Sequence, residues 1–372
     1  MLGLKDEFSR LVTVYLLWTA SWIFAGGLFE VYFFSLGMSL QDIFLADALL
    51  FVASMFTIPL FRGFKCRDSM MIGIAVSILS VLLLFLFPYK EAAYAFRLIG
   101  GITHIFFWVP FNTLYYEFRK GNHAILGALY YSIYPLLSLV LPALAGLIAV
   151  SLGFPTLFII AMACLALTAL ACWFFAENRS YSYDFIAAIK SFSGLRSIIF
   201  MEGFTAAVII GVTLAIMPLI YVSGPLEFGI LISLSTIFAV LATIVTAKMS
   251  DDMKRRREFL LPVVACFAIA VIFTSRSWDL LSFFIGLGLV NFFSRIFFPL
   301  PLALAVDNTR SKIVDSMVGR EFMLNSGRLA GALFGYLVFV YSDIQTVLLL
   351  EGIVLLAYIP VFENRKRKLA RH

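Results

Sequence analysis

Charge is what this sequence has least of: Asp, Glu, Lys and Arg make up 13% of its 372 residues, and there are only 3 His and 4 Cys. Histidines this scarce, none in an H-E-x-x-H pattern, leave no zinc-hydrolase site. The cysteines, Cys66, Cys164, Cys172 and Cys266, are too scattered for a disulfide framework or a metal cluster. No G-x-x-x-x-G-K-S/T loop is present to cradle a nucleotide, no Ser, His and acid constellation marks a hydrolase, and no polar stretch is long enough to fold as a soluble domain. The composition therefore calls for no cofactor and no metal.

Apolar sequence fills the chain instead. Hydrophobic residues make up 62% and aromatics 16%, with 40 Phe, and the mean hydropathy is +1.00. Such a chain stays in water only by exposing apolar surface on a large scale, so the bilayer is its solvent. Twelve stretches, 11–36, 44–61, 70–87, 92–116, 124–150, 155–176, 198–222, 227–247, 259–275, 279–306, 316–341 and 344–362, are each read as a membrane span, helices 1 to 12. About 20 residues rising about 1.5 Å each cross roughly 30 Å of hydrocarbon, and a helix satisfies its own backbone polar groups. Helix 1 is too long for a signal-peptide core and is read as retained.

The net charge of +6 sits in short loops, which sets orientation and gives no reason to expect nucleic acid as a partner. The N-terminal tail, the even-numbered loops and the C-terminal tail hold 23 of the 28 Lys and Arg, with Arg320 counted at the mouth of helix 11. The odd-numbered loops hold only Lys90 and Arg276. Positive-inside bias then places both termini in the cytoplasm of a multi-pass protein of the plasma (inner) membrane. Its partners are expected to be membrane lipid, a small-molecule substrate and protons, and the protein is expected to act as a monomer.

The longest connection divides the helices six and six, giving an N-terminal bundle over 1–176, a cytoplasmic linker over 177–197 and a C-terminal bundle over 198–372. Within the linker, Phe185, Ile186, Ile189 and Phe192 fall at helical spacing while Asp184 and Lys190 stay polar, which predicts a short amphipathic helix on the cytoplasmic membrane face. A shift of 191 residues lays Ile105, Phe106, Phe107 and Pro110 on Ile296, Phe297, Phe298 and Pro301, and Arg119 on Arg310. Two six-helix halves repeated in parallel are a transporter architecture with its site near the bilayer midplane between them. The fold class is an all-α membrane protein of twelve transmembrane helices in two pseudo-symmetric bundles.

Three local patterns resemble the major facilitator superfamily. Residues 247–256 read AKMSDDMKRR, similar to the family's G-x-x-x-D-R-x-G-R-R loop; Asp251, Arg255 and Arg256 match, while both glycines and the first arginine do not. The equivalent loop between helices 2 and 3, residues 61–67, keeps basic charge without an aspartate. Arg97-Leu98-Ile99-Gly100-Gly101 resembles the R-x-x-Q-G pattern of the family's proton-coupled drug antiporters, with Gly100 in the place of glutamine. Leu141 to Gly146, then Gly153, Phe154 and Phe158, are similar to the end of helix 5 in those antiporters. The resemblance covers the whole chain and implies alternating access, with Asp251, Arg255 and Arg256 as a cytoplasmic conformational latch.

A charge at a helix centre costs about 2.5 to 3.5 kcal/mol on insertion scales, so charges inside spans are expected to face protein or water and to find partners. His104 in helix 4 and Arg295 in helix 10 are equivalent under the repeat and lie at midplane depth. Arg97, Gly101, His104 and Trp108 recur on one helical face. Glu30 and Arg97 match in depth, and the resemblance implies that helices 1 and 4 both line a central cavity, so an ion pair between them is expected, with Asp47 of helix 2 as the competing partner. Helix 11 carries Glu321, Asn325 and Arg328 beside a Gly327, Gly331, Gly335 stripe suited to close helix approach. Glu351 of helix 12 needs a proton or a cation, which Arg328 or Arg295 is placed to supply. The candidate substrate or proton ligands are Glu30, Arg97, His104, Arg295, Arg328, Asn291 and Asn325, with static packing networks as the alternative for each.

The reading is a secondary active transporter that moves a small organic solute by alternating access, with proton-coupled efflux favoured by the antiporter patterns and an organic anion favoured by the mid-helix arginines. A membrane-embedded transferase and a transport-inactive sensor or scaffold remain open.

Overall fold

The computed structural model describes residues 7–117, 123–191, 195–250, 256–302 and 313–369. Ten helices among them are long and apolar enough to cross a membrane: Glu7–Ser35, Leu40–Leu60, Cys66–Leu86, Lys90–Glu117, Leu129–Leu152, Phe154–Phe175, Arg196–Tyr221, Pro225–Thr243, Leu280–Leu302 and Ile313–Tyr341. Two shorter apolar helices, Leu260–Ser275 and Ile344–Pro360, take the places of helices 9 and 12. Helix starts recur at a spacing of 189 or 190 residues, as in Glu7 and Arg196, Cys66 and Arg256, Lys90 and Leu280, His123 and Ile313, and Phe154 and Ile344.

Local chemistry sets the helix ends. Ser39 accepts a bond from the Asp42 N–H while Asp42 accepts one from the Ser39 N–H, a capping box that starts helix 2. Asp279 starts helix 10 in the same way, and the hydrogen bonds it takes from Ser282 hold its carboxyl below the usual carboxylate range. Helix 1 breaks at Gly27, and helix 5 breaks at Leu139 and Val140, just before Pro142. Helix 7 relaxes into a π-helix over Ile209–Ile216. Such irregular backbone is tolerated in a membrane where it is buried within protein.

In lipid no hydrophobic force drives helices together, so they associate through close packing at small residues. Helix 4 meets helix 2 at Gly101, where a Cβ would overlap the Leu50 carbonyl oxygen. Helices 5 and 8 cross at Gly146 and Gly229, each lying on the other helix's backbone. Helix 7 meets helix 11 at Gly203, Gly327 and Gly331. The third glycine of the stripe, Gly335, instead faces the Phe44 ring of helix 2. Helices 2 and 4 of the first bundle touch helix 11 of the second, and helix 5 touches helix 8, so these contacts join the two halves.

The loop between helices 2 and 3 and the start of the linker form a two-stranded antiparallel sheet, β1 over Gly63–Lys65 and β2 over Ser180–Ser182, with Phe64 opposite Tyr181. The Tyr181 hydroxyl bonds Glu117, and the Tyr183 hydroxyl bonds the Ile58 carbonyl at 2.9 Å. The predicted linker helix forms over Phe185–Ser191, but it does more than rest on a membrane face. Ala188 is fully buried, and Phe185 packs edge-on against Phe322 of helix 11 with ring centroids 5.0 Å apart. The linker is thus stapled to the first bundle at its start and packed on the second at its helix; Phe192 lies outside the described residues. Cys66, expected in a loop, is the buried first residue of helix 3.

Candidate functional site

A cavity of about 260 Å³ lies among helices 1, 2, 4 and 5. Helix 1 contributes Tyr15, Trp18, Thr19, Trp22, Gly26 and Phe29, helix 4 contributes Phe96, Arg97, Gly100, Thr103, His104 and Trp108, and Leu50 and Tyr134 complete the lining. Positions 15, 18, 22, 26 and 29 and positions 97, 100, 104 and 108 follow the three-to-four residue spacing that puts side chains on one helical face. The face expected on helix 4 is present with one correction. Gly100 borders the cavity, while Gly101 is turned into the contact with helix 2.

These adjacent glycines predict opposite outcomes. Gly101→Ala drives a methyl into the Leu50 backbone and is expected to cost several-fold in yield of folded protein. A methyl at Gly100 meets only Leu50 Cδ1 at 3.9 Å, so Gly100→Ala is expected to fold normally and to raise the half-saturating solute concentration by narrowing the cavity. Size-exclusion profiles and transport kinetics of the two variants check this.

The Arg97 guanidinium is the charged feature of the cavity wall. Its Nη2 donates to Glu30 Oε1 at 2.7 Å, and its Nε lies 3.2 Å from Asp47 Oδ1 without hydrogen-bond geometry. Asp47 therefore does not compete with Glu30; both carboxylates share one arginine. Phe33 and Phe29 sit 5.3 and 5.9 Å from the guanidinium carbon, and these aromatic faces fix its position. The π-helical stretch of helix 7 brings Gly211 alongside Asp47, so the triad adjoins the second bundle. His104 lies two turns from Arg97 on the same helical face, and Arg97 and Arg328 are its charged neighbours.

Aromatic packing frames the rest. Trp18 lies flat on Phe107 with centroids 3.7 Å apart and planes 9° apart, Trp22 and Trp108 stand across it at 60° and 89°, and Tyr15 stacks on Tyr130 at 4.9 Å. From helix 10, Arg295 places its guanidinium carbon 4.9 Å from the centroid of Tyr134, a cavity-lining ring. Its Nε has no hydrogen-bond partner, and it forms no ion pair among the described residues.

In the second bundle the structure assembles a network around the Glu321, Asn325 and Arg328 face of helix 11, with two members, Arg320 and Glu202, that sequence reasoning missed. Arg320, counted as a loop charge, is buried inside it: Nη2 bonds Glu202 Oε1 at 2.6 Å and Nη1 bonds Glu321 Oε1 at 3.3 Å. The Asn325 amide donates to the Glu321 carbonyl at 2.8 Å and accepts from Arg328 Nη1 at 3.3 Å, and Arg328 lies over Phe51 of helix 2. The signal for Glu202 was present, since it is the single acid in the first turns of an apolar helix and must be paired there. Tyr130 and Tyr131 of helix 5 lie near this network from across the interface.

Two candidates lie elsewhere. The Asn291 amide donates to Ser235 Oγ at 3.0 Å, which ties helix 10 to helix 8 inside the second bundle. Glu351 is completely buried, both of its oxygens lack hydrogen-bond partners, and its polar neighbour is Thr205 of helix 7; neither Arg295 nor Arg328 reaches it. Asp251 and Arg255 lie outside the described residues, as does the side chain of Arg256.

Residues 198–371 match the family model described as Major Facilitator Superfamily. No curated protein matches the chain in sequence. Among solved structures, the human organic anion transporter MFSD10 (TETRAN) superposes with a TM-score of 0.71 at 13% identity, covering 96% of this chain and 100% of that one. A point mutant of the nucleoside transporter NupG superposes with a TM-score of 0.67 at 15% identity over 98% of this chain and 100% of its own, and a second NupG structure gives 0.63 over 97% and 99%. These likenesses are of fold. The C-terminal half thus matches the Major Facilitator Superfamily model, and nearly the whole chain has the fold of these solved membrane transporters.

Proposed function

We propose that the protein is a secondary active carrier that moves a small organic solute through the cavity between helices 1, 2, 4 and 5, alternating its access between the two membrane faces, with proton-coupled efflux as the direction. The observation that carries this reading is the cavity itself, with Arg97 in its wall and two carboxylates behind that arginine. One guanidinium cannot fully compensate two buried carboxylates, so the group is one proton short of neutral. A conformational step that draws Glu30 or Asp47 away from Arg97 gives that proton a place to bind, which couples proton movement to rocking of the halves. The seam is placed to sense that movement, because Gly211 of helix 7 adjoins Asp47.

Cytoplasmic termini in the plasma (inner) membrane, a monomeric state, and a latch made of Asp251, Arg255 and Arg256 belong to the same reading. The fold relatives carry organic anions and nucleosides by name, which agrees with an organic solute here.

The experiment is reconstitution into vesicles, a panel of organic solutes, and transport measured with and without a pH gradient. Glu30→Gln is expected to lower gradient-driven accumulation at least tenfold while exchange of labelled for unlabelled solute continues. Accumulation that keeps the wild-type pH dependence in both Glu30→Gln and Asp47→Asn removes proton coupling from the account. Cysteines placed at Ser35 and Ser250 whose labelling ignores every transported solute remove alternating access.

A further inference from the structure

We propose that the solute is a planar aromatic monoanion of one or two fused rings, its acid group read by Arg295. The proposal rests on the carrier reading above and adds the class of substrate.

Size sets the first limit. A cavity of about 150 Å³ lined by apolar side chains holds a benzene molecule. The 260 Å³ here admits one further ring or a short acid side chain, but not a multi-ring amphipath or a nucleotide. Shape sets the second. Phe107 covers one face of Trp18, with Trp22 tilted beside it at 60° and Trp108 nearly upright at 89°, so three indoles bound the space on different sides. Rings inserted there meet both faces and edges of aromatic neighbours, the arrangements that aromatic pairs prefer. A flexible alkyl chain of equal volume gains no such geometry.

Charge sets the third. The cavity wall shows Arg97 and His104, and Glu30 and Asp47 are not part of its lining. Arg97 is already engaged by both carboxylates, so it cannot be the principal anchor of an acid. Arg328 has no carboxylate pair among the described residues either, but it is bonded to Asn325 at 3.3 Å, which leaves Arg295 as the guanidinium to take the acid. It lies against the cavity-lining Tyr134, its Nε has no partner, and among the described residues no carboxylate pairs with it. Tyr131 is another polar neighbour, with a hydroxyl able to donate to the same acid group, whereas the Tyr15 hydroxyl beside it already donates to the Tyr130 carbonyl at 3.1 Å. Because the guanidinium comes from helix 10 while the indoles come from helices 1 and 4, a ligand of this kind bridges the two bundles.

The protein carries its own reporter. Of its five tryptophans, Trp18, Trp22 and Trp108 border the cavity, and Trp173 and Trp278 are exposed. In the full chain with Trp173→Phe and Trp278→Phe, fluorescence reports on the cavity alone. Titration in detergent with benzoate and 1-naphthoate is expected to quench it saturably, with 1-naphthamide and cyclohexanecarboxylate at least tenfold weaker. The amide also controls for partition into micelles. Arg295→Gln is expected to bring the acid and amide affinities to within about twofold of each other, a change of about 1 kcal/mol or more in preference for the acid. If Arg295→Gln is not monodisperse, Arg295→Lys gives the same readout, with the acid preference reduced three- to tenfold because the planar fork is lost. Equal affinity of acid and amide for the wild-type cavity overturns the proposal, as does an acid preference that substitution of Arg295 leaves undiminished. Vesicle exchange of other solutes alongside either result leaves the carrier reading standing, whereas saturable acid binding with no exchange of any solute overturns the carrier reading.

Discussion

Arg97→Gln is expected to abolish transport, with a loss of at least a hundredfold, and to reduce the amount of folded protein. The side chain stands between Glu30 and Asp47, its own group 14% exposed and theirs 11% and 19%. Removing one member of a buried charge pair costs about 3 to 5 kcal/mol, because the partner is left uncompensated, and here two partners are left. Restoring balance should therefore rescue folding. Arg97→Gln combined with Glu30→Gln and Asp47→Asn is expected to recover wild-type yield and thermal stability while remaining inactive in gradient-driven transport. Arg97→Lys is expected to lie between, since an ammonium has the charge but not the planar fork that reaches two carboxylates at once. Yield and melting of the purified variants, measured with vesicle transport, separate the two roles. Single and triple variants of equal stability would show that the triad is not a charge-balanced unit.

How much of this was legible without coordinates follows from what a helical sequence encodes. Depth is encoded well, because each residue advances a helix by about 1.5 Å. Depth, joined to the resemblance that sets helices 1 and 4 around one cavity, paired Glu30 with Arg97 across 67 residues of chain. Direction is encoded poorly. Neighbouring residues differ by about 100° around the axis, and without knowledge of which neighbour lies where, a small error in phase exchanges cavity for contact. Gly100 and Gly101 show this, as does Asn291, which bonds Ser235 although it lies one turn from Arg295. Arg320 and Glu202 were hidden for another reason. Arg320 lies near a helix end, where a charge reads as a loop charge until its partner on another helix is seen, whereas Glu202 is marked as a buried acid by its apolar helix but its partner is not. The β1 and β2 pairing has only three residues per strand and no strand signal of its own, since the pairing depends on the linker returning to the first bundle.

The glycine stripe of helix 11 leads to a graded result, in which Gly327 and Gly335, eight residues apart, respond differently. At Gly327 a Cβ would overlap the Phe200 carbonyl oxygen, and at Gly203, on the facing helix, it would overlap the Leu324 carbonyl oxygen. Backbone cannot move aside without parting helices 7 and 11, and parting them also pulls Glu202 from Arg320, a bond of 2.6 Å between those two helices. At Gly335 the obstacle is the Phe44 ring, a side chain with rotamers to explore. Gly327→Ala is therefore expected to cost about 3 kcal/mol or more, overpacking at the upper end of its usual range plus the loss of a buried ion pair. Gly335→Ala is expected to cost about 1 kcal/mol. Thermal melting of the purified variants checks the order. Pairing each with Arg320→Gln checks the mechanism: the cost of Gly327→Ala should shrink in that background because the ion pair is already gone, while the cost of Gly335→Ala should add independently. Equal costs at the two glycines would mean that helix 11 is free to shift against helix 7, and the buried network would then be a consequence of the packing rather than a part of what holds the two helices together.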